Sequence, residues 1–141
     1  MLTVDLDKLA LAPGTVCVDV GCGEGRHTLA TYLIDGVQAL GIDLSERDLG
    51  TATQRIQDMT PHAPGGDIGF AAGDATGLPL SDESVDAVIA SEILEHIPNY
   101  LAVLEELWRV LKPGGRLCIS VQRQWPEWVC WQLSEGYRTT R

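Results

Sequence analysis

Basic residues are scarce in this sequence: Lys and Arg total 10 against 20 Asp and Glu, a formal net charge of -10. A field of that sign repels phosphate backbones, so no nucleic-acid partner is expected. The basic clustering that exists is thin, at Arg116, Arg123, Arg138 and Arg141. Long apolar runs are also lacking. None approaches the ~20 residues of a spanning helix, so no membrane partner is expected. Asp5, Asp7 and Lys8 interrupt the first residues, where an export signal would need an apolar stretch. The four cysteines, Cys17, Cys22, Cys118 and Cys130, contain no C-x-x-C pair. Neither a zinc knuckle nor a thioredoxin motif is indicated. Cys17 and Cys118 lie in apolar runs, where Cys acts as a small buried hydrophobe. Reduced thiols in a cytoplasmic protein are the expectation. Repeats and low-complexity tracts are absent as well.

What is present is the patterning of a single globular domain over residues 1–141, 45% hydrophobic and 21% charged. Short β-rich runs alternate with helical ones, the signature of parallel α/β units. Strands are expected at 15–20, 37–42, 67–72, 85–90 and 116–121. Helices are expected at about 26–34, 46–59 and 99–111. Ser45 is a suitable N-cap, with Asp48 three residues on, and Pro61 cannot continue the second helix. Leu101, Leu104, Trp108 and Leu111 recur at helical period and predict the buried face of the third helix. Trp125, Trp128 and Trp131 suggest an amphipathic tail. The fold class that follows is a Rossmann-like, doubly wound, mainly parallel sheet in three αβα layers. Ligands of such sheets bind at the carboxyl ends of the strands.

Each strand end carries polar residues. After the first comes Asp19-Val20-Gly21-Cys22-Gly23-Glu24-Gly25-Arg26. In the G-x-G-x-x-G spacing of dinucleotide sites the third glycine would fall at position 26, which is Arg. Asp19 and Glu24 also oppose a pyrophosphate at this helix start. A cationic or zwitterionic nucleoside such as S-adenosylmethionine meets neither objection. Asp43 ends the second strand, where a carboxylate can accept two hydrogen bonds from a ribose diol. Asp74 follows the third strand, within reach of an adenine amino group. Each of these alone can be a turn, a cap or a solvated carboxylate. Arg26 is placed to meet a ligand carboxylate or simply to start a helix in water.

With these segments in order over residues 15–121, the chain resembles a class I S-adenosylmethionine-dependent methyltransferase of the type 11, quinone-biosynthesis-like kind. The resemblance rests on Val16 to Gly25, Gly41 to Ser45, Gly73-Asp74-Ala75, Leu78-Pro79-Leu80 and Ser84 to Val88. It continues through Ser91-Glu92-Ile93-Leu94-Glu95-His96 and Leu107-Trp108-Arg109-Val110-Leu111-Lys112-Pro113-Gly114-Gly115. It implies that Asp19, Gly21, Cys22 and Gly23 hold the methionyl part, Asp43 and Leu44 the ribose side, and Asp74 and Ala75 the adenine. Ser91 then faces the methyl donor. His96 and Glu92 are the candidates for a base or substrate contact.

The Glu92-x-x-Glu95-His96 run also resembles a divalent-metal motif of some quinone and RNA-end methyltransferases. The same run occurs in the family without metal, and no metal ligand is assigned. No Asn-Pro-Pro-Tyr-like run and no Pro-Cys pair follows the fourth strand, which disfavours amino-group methylation of adenine or glutamine and cytosine C5 chemistry. The expected acceptor is a small molecule, methylated at O, N or C. The family's sheet closes with a hairpin of strands six and seven, which is not found before Arg141. The chain is therefore expected to be C-terminally truncated, with self-association through a bare strand-five edge unless the tail of Trp125, Trp128 and Trp131 covers it. A non-catalytic S-adenosylmethionine-binding module or an inactive fragment is the alternative function.

Overall fold

The β-branched runs and the glycine turns between them build five strands. A computed structural model describes residues 1–59 and 65–122. In chain order the elements are β1 (Val16–Val20), α1 (Arg26–Tyr32), β2 (Gln38–Asp43), α2 (Glu46–Asp58), β3 (Ile68–Ala72), β4 (Val85–Ser91), α3 (Tyr100–Val110) and β5 (Leu111–Ser120). Single 3-10 turns precede β1 at Leu6–Leu9 and α3 at Leu94–His96.

The strands form one parallel sheet in the order β3-β2-β1-β4-β5. The order reverses between β1 and β4. Right-handed crossovers then put α1 and α2 on one face and α3 on the other. The doubly wound, three-layer expectation holds among the described residues. β1 is buried on both sides, as a central parallel strand requires. Val18 and Val20 face one core, with Val88 and Leu107. Cys17 faces the other, with Val37 and Ile89. Ser45 caps α2 as its sequence position suggests: its Oγ accepts from the Asp48 N–H at 3.2 Å. Glu46 and Asp48 in that first turn favour the positive end of the helix.

Two expectations need correction. Of the expected face of α3, Leu111 is buried in the core and Leu104 packs against it, but Leu101 is 49% and Trp108 79% exposed; the residues that α3 itself buries are Tyr100, Val103, Leu107 and Val110. Both quartets share the same helical spacing, so periodicity could not choose between them; the crossover onto the sheet does. The end of α3 is also different. Leu111 already pairs with Val85, and residues 112–115 bulge out before Arg116 pairs with Ala87. The fifth strand thus starts earlier than residue 116, with Gly114 in the bulge at φ +78°. Cys17 and Cys22 are buried free thiols, and Cys118 is only half-buried. The tail tryptophans, Cys130 and Pro61 lie outside the described residues. No helix among the described residues is long and apolar enough to cross a membrane.

Candidate functional site

At the carboxyl end of β1 the chain turns back over β2. The Gly21 and Cys22 N–H groups both donate to the Ile42 carbonyl, at 2.7 and 3.1 Å. Gly21 has φ +69°, and a Cβ there would collide with the Ile93 side chain. Glycine is required by conformation and by space. Gly23 has φ +53°, yet a Cβ there meets no protein atom within 4 Å. The space beside Gly23 belongs to a cavity.

Asp43 ends β2 and joins the two polar loops. Its Oδ2 accepts from the Gly23 N–H and its Oδ1 from the Ser45 N–H, both at 2.8 Å. One carboxylate therefore fixes the glycine loop against the start of α2. Each oxygen retains acceptor capacity for a ligand. Asp74, after β3, is exposed and makes its own turn. Its Oδ1 accepts from the Thr76 N–H (2.8 Å) and hydroxyl (2.7 Å), which hold the carboxyl below its ordinary pKa.

Two cavities open here, at the switch point between β1 and β4. One, of about 340 Å³, is lined by Asp43, Leu44, Asp74, Ala75 and Ile97 among others. Leu44, 69% exposed, offers an apolar wall at its rim. The second, of about 530 Å³, is lined by Cys22, Gly23, Arg26, Ser91 and Glu92 among others. Gly21, Asp43, Ile93 and His96 border both. Volumes of this size suit a nucleoside-sized ligand and an adjoining substrate.

Asp19 is not brought to either cavity wall. It is 2% exposed, and its Oδ2 accepts from the Thr28 hydroxyl at 2.7 Å. Burial pushes its pKa up to about 6, against the lowering effects of Thr28 and Arg26. The folded chain then binds a proton that the unfolded chain, with a pKa near 3.8, does not bind between about pH 4 and 6. Ionised Asp19 opposes folding above pH 6, and the penalty fades as pH falls toward 4. Asp19→Asn is expected to raise stability by about 1–2 kcal/mol at pH 7.5 and by much less at pH 4. Urea unfolding of both proteins at the two pH values measures this; an equal effect at both removes the assignment.

Ser91 and His27 border the second cavity, and behind them lies a polar cluster with Thr3 and Ser120 that sequence patterning did not reveal. The Thr3 hydroxyl lies 2.6 Å from Ser91 Oγ, which lies 2.7 Å from Ser120 Oγ. The Thr3 N–H donates to His27 Nε2 at 3.2 Å. His27 is buried, and desolvation first and then Arg26 hold its pKa below the ordinary imidazole value; its Nε2 is the acceptor of this bond. Ser91 ends β4 rather than following it. These contacts span 24 to 88 residues, and no local signal encodes them.

Glu92 has φ +56°, a strained value for a residue with a side chain. The kink, held by the Glu92 N–H donating to Ser120 O at 2.7 Å, sends Ile93 against Gly21 and His96 to the boundary of both cavities. Glu95 borders neither cavity. Both its oxygens are buried and have no partner among the described residues. Among those residues no group of three or more His, Cys, Asp or Glu is arranged to hold a metal.

These loops define a class of site: a doubly wound sheet whose glycine loop and strand-end carboxylates, Asp43 and Asp74, border adjoining cavities at the switch point. The family model described as "Methyltransferase domain" matches residues 18–119. The chain belongs to that family, and its cofactor is S-adenosylmethionine. It is 33% identical over 132 residues to a demethylmenaquinone methyltransferase of Beutenbergia cavernae, covering 94% of this chain and 50% of that protein. It is 36% identical over 113 residues to the 27-O-demethylrifamycin SV methyltransferase of Amycolatopsis mediterranei, covering 79% and 40%. A solved putative methyltransferase of Bacillus halodurans superposes with a TM-score of 0.75 at 27% identity, covering 94% and 55%. The chain thus spans half or less of the length of these curated relatives.

The residues present fit the cofactor. The open space at Gly23 admits close backbone approach, and Asp43 keeps acceptor capacity between the two cavities. The cavity border carries carboxylates where a pyrophosphate would need donors.

Proposed function

We propose that this chain is the cofactor-binding and catalytic part of a methyltransferase acting at O, N or C of a small molecule. The observation that carries this is the pair of cavities joined at Gly21, Asp43, Ile93 and His96. One has the shape and acceptors for the nucleoside; the other provides room for the methionyl part and the methyl acceptor. Both named relatives methylate compounds of low molecular weight by their printed names, a demethylmenaquinone and a demethylrifamycin, which supports that acceptor class.

When bound, S-adenosylmethionine supplies a methyl group on a positively charged sulfur. The chain contributes position and charge. Asp43 accepts the ribose hydroxyls, Leu44 and Ala75 pack on the nucleoside, and Asp74 accepts from the adenine amino group. Gly21, Cys22 and Gly23 lie against the methionyl part through their backbone. Buried Asp19 anchors α1 through Thr28 beneath that loop. Ser91, Glu92 and His96 face the acceptor. Holding nucleophile, methyl carbon and sulfur in line provides much of the rate. Where the acceptor is protonated at neutral pH, His96 takes the proton on a ring nitrogen, or Glu92 on its carboxylate.

Calorimetric titration with S-adenosylhomocysteine, followed by methyl-transfer assays on hydroxylated quinones and polyketide phenols, tests the proposal. Saturable binding with turnover of one class is expected. Binding without turnover of any class leaves a non-catalytic module and ends the enzyme proposal. A Glu92→Gly variant separates strain from chemistry. Relief of the positive φ should leave its thermal stability equal or higher, by up to about 1 kcal/mol, while turnover falls. Unchanged turnover removes Glu92 from the acceptor site.

Among the described residues β5 pairs only with β4, and Leu117 on it is 38% exposed. We further propose that this edge pairs with a second copy. Light scattering should show mass rising with concentration, and Leu117→Lys should suppress it. A monomer at all concentrations excludes the pairing.

A further inference from the structure

The loop between β3 and β4 places Asp74, Ala75 and Thr76 on the first cavity, yet it has no regular structure of its own beyond one bridge, Asp74 to Gly77. Residues 74–77 close a turn of their own on Asp74, and the residues that follow it, 78–84, are fixed from α3. The Leu78 N–H donates to Glu106 Oε2 at 2.6 Å. Arg109 donates from Nη2 to the Leu78 carbonyl (3.1 Å) and from Nη1 to the Leu80 carbonyl (2.8 Å). Its Nη1 also meets Asp82 Oδ1 at 2.7 Å. Nε and Nη2 grip the two Glu106 oxygens at 2.7 and 2.8 Å, a bidentate pair. Beyond the clamp, the Glu83 and Ser84 N–H groups donate to the carbonyls of Arg109 and Val110. Leu78, 5% exposed, is thereby pinned three residues from Ala75. Neither charged residue borders either cavity described above.

We propose that Arg109 and Glu106 are positioning residues that set purine recognition, by holding residues 74–78 in the conformation that aims Asp74 at the ligand. This rests on the reading that Asp74 receives the adenine amino group. The planar fork of Arg is needed because one guanidinium must serve two carbonyls and two carboxylates along fixed directions. A Lys ammonium cannot serve them all. The guanidinium and Asp74 lie on opposite sides of Leu78 in the chain, so the effect is transmitted through the backbone.

The test is the affinity of the 141-residue chain for S-adenosylhomocysteine relative to S-inosylhomocysteine, in which an oxo group replaces the amino group. Calorimetry on the wild type is expected to show a preference of about tenfold for the adenine ligand, the scale of one hydrogen bond to a charged group. In Arg109→Ala the preference should fall to about threefold or less, with smaller losses in Arg109→Lys and Glu106→Gln. Leu9→Ala serves as control: it removes a buried side chain from the other core and should leave the preference intact at comparable loss of thermal stability. If Arg109→Ala does not fold, the Lys and Gln variants decide. A full preference in folded Arg109 and Glu106 variants overturns the clamp while leaving the Asp74 assignment standing. A wild type without preference removes the Asp74 assignment and the clamp proposal with it. An equal loss of preference in Leu9→Ala reduces the effect to general destabilisation and also overturns the clamp.

Discussion

Replacing Asp43 by Ala is expected to weaken S-adenosylhomocysteine binding by about 1.5–3 kcal/mol, roughly 10- to 150-fold. The carboxylate does two things at once. It would accept the ribose hydroxyls, and it already accepts the Gly23 and Ser45 N–H groups. Ala deletes all of these, so the glycine loop loses its tie to α2 as well as its ligand acceptor. Asp43→Asn separates the two contributions. The amide oxygen can still accept from one N–H group, but the charge is gone and one position becomes a donor. Asn should therefore retain more thermal stability than Ala while losing much of the affinity. Calorimetric titration and thermal unfolding on both variants measure this. Binding within twofold of wild type in a folded Ala variant would falsify the ribose role.

The second large effect is expected at His96. His96 borders both cavities, which is where the proposed function puts the transferred methyl. Removing a general base typically lowers rate by a factor of about 10² or more. His96→Ala is thus expected to lose roughly a hundredfold in turnover, with cofactor affinity within about threefold of wild type. His96→Gln retains hydrogen bonding but cannot carry a proton away at neutral pH. If His96 only orients the acceptor, Gln should restore most of the rate; if it takes the proton, Gln should resemble Ala. Loss of cofactor binding equal to the loss of turnover would place His96 on the nucleoside instead. A chelator should change neither parameter; loss of turnover on chelation with restoration by Mg²⁺, Mn²⁺ or Zn²⁺ would reverse that expectation.

Local pattern carried much of the fold. Alternating β-branched runs and glycine turns specify parallel strands, because only a strand buried on both faces can be apolar at successive positions. The ends of those strands were equally legible: Gly21, Gly23, Asp43 and Asp74 interrupt apolar runs with residues that a buried strand would exclude. The spacing of the glycine loop, with Arg26 in place of a third glycine, already disfavoured a dinucleotide. These are short-range properties, and a sequence displays them directly.

Which face of a helix is buried, and which distant groups meet, was decided only by the tertiary structure. The faces of α3 centred on Leu101 and on Tyr100 have the same period, and only docking on the sheet selected Tyr100, Val103, Leu107 and Val110. Asp19 is a strand-end carboxylate like Asp43, but the crossover of α1 covers it with Thr28, while Asp43 remains at the cavity. Ile93 explains why Gly21 must be glycine, across 72 residues of chain. The Arg109 and Glu106 clamp on residues 78–82 joins segments about as far apart in sequence as a whole βαβ unit. Such contacts leave no periodic trace, because they depend on where the chain returns after a crossover. The sequence determined the elements and the chemistry at their ends; the packing of one element on another decided which of those groups border the cavities and which hold them in place.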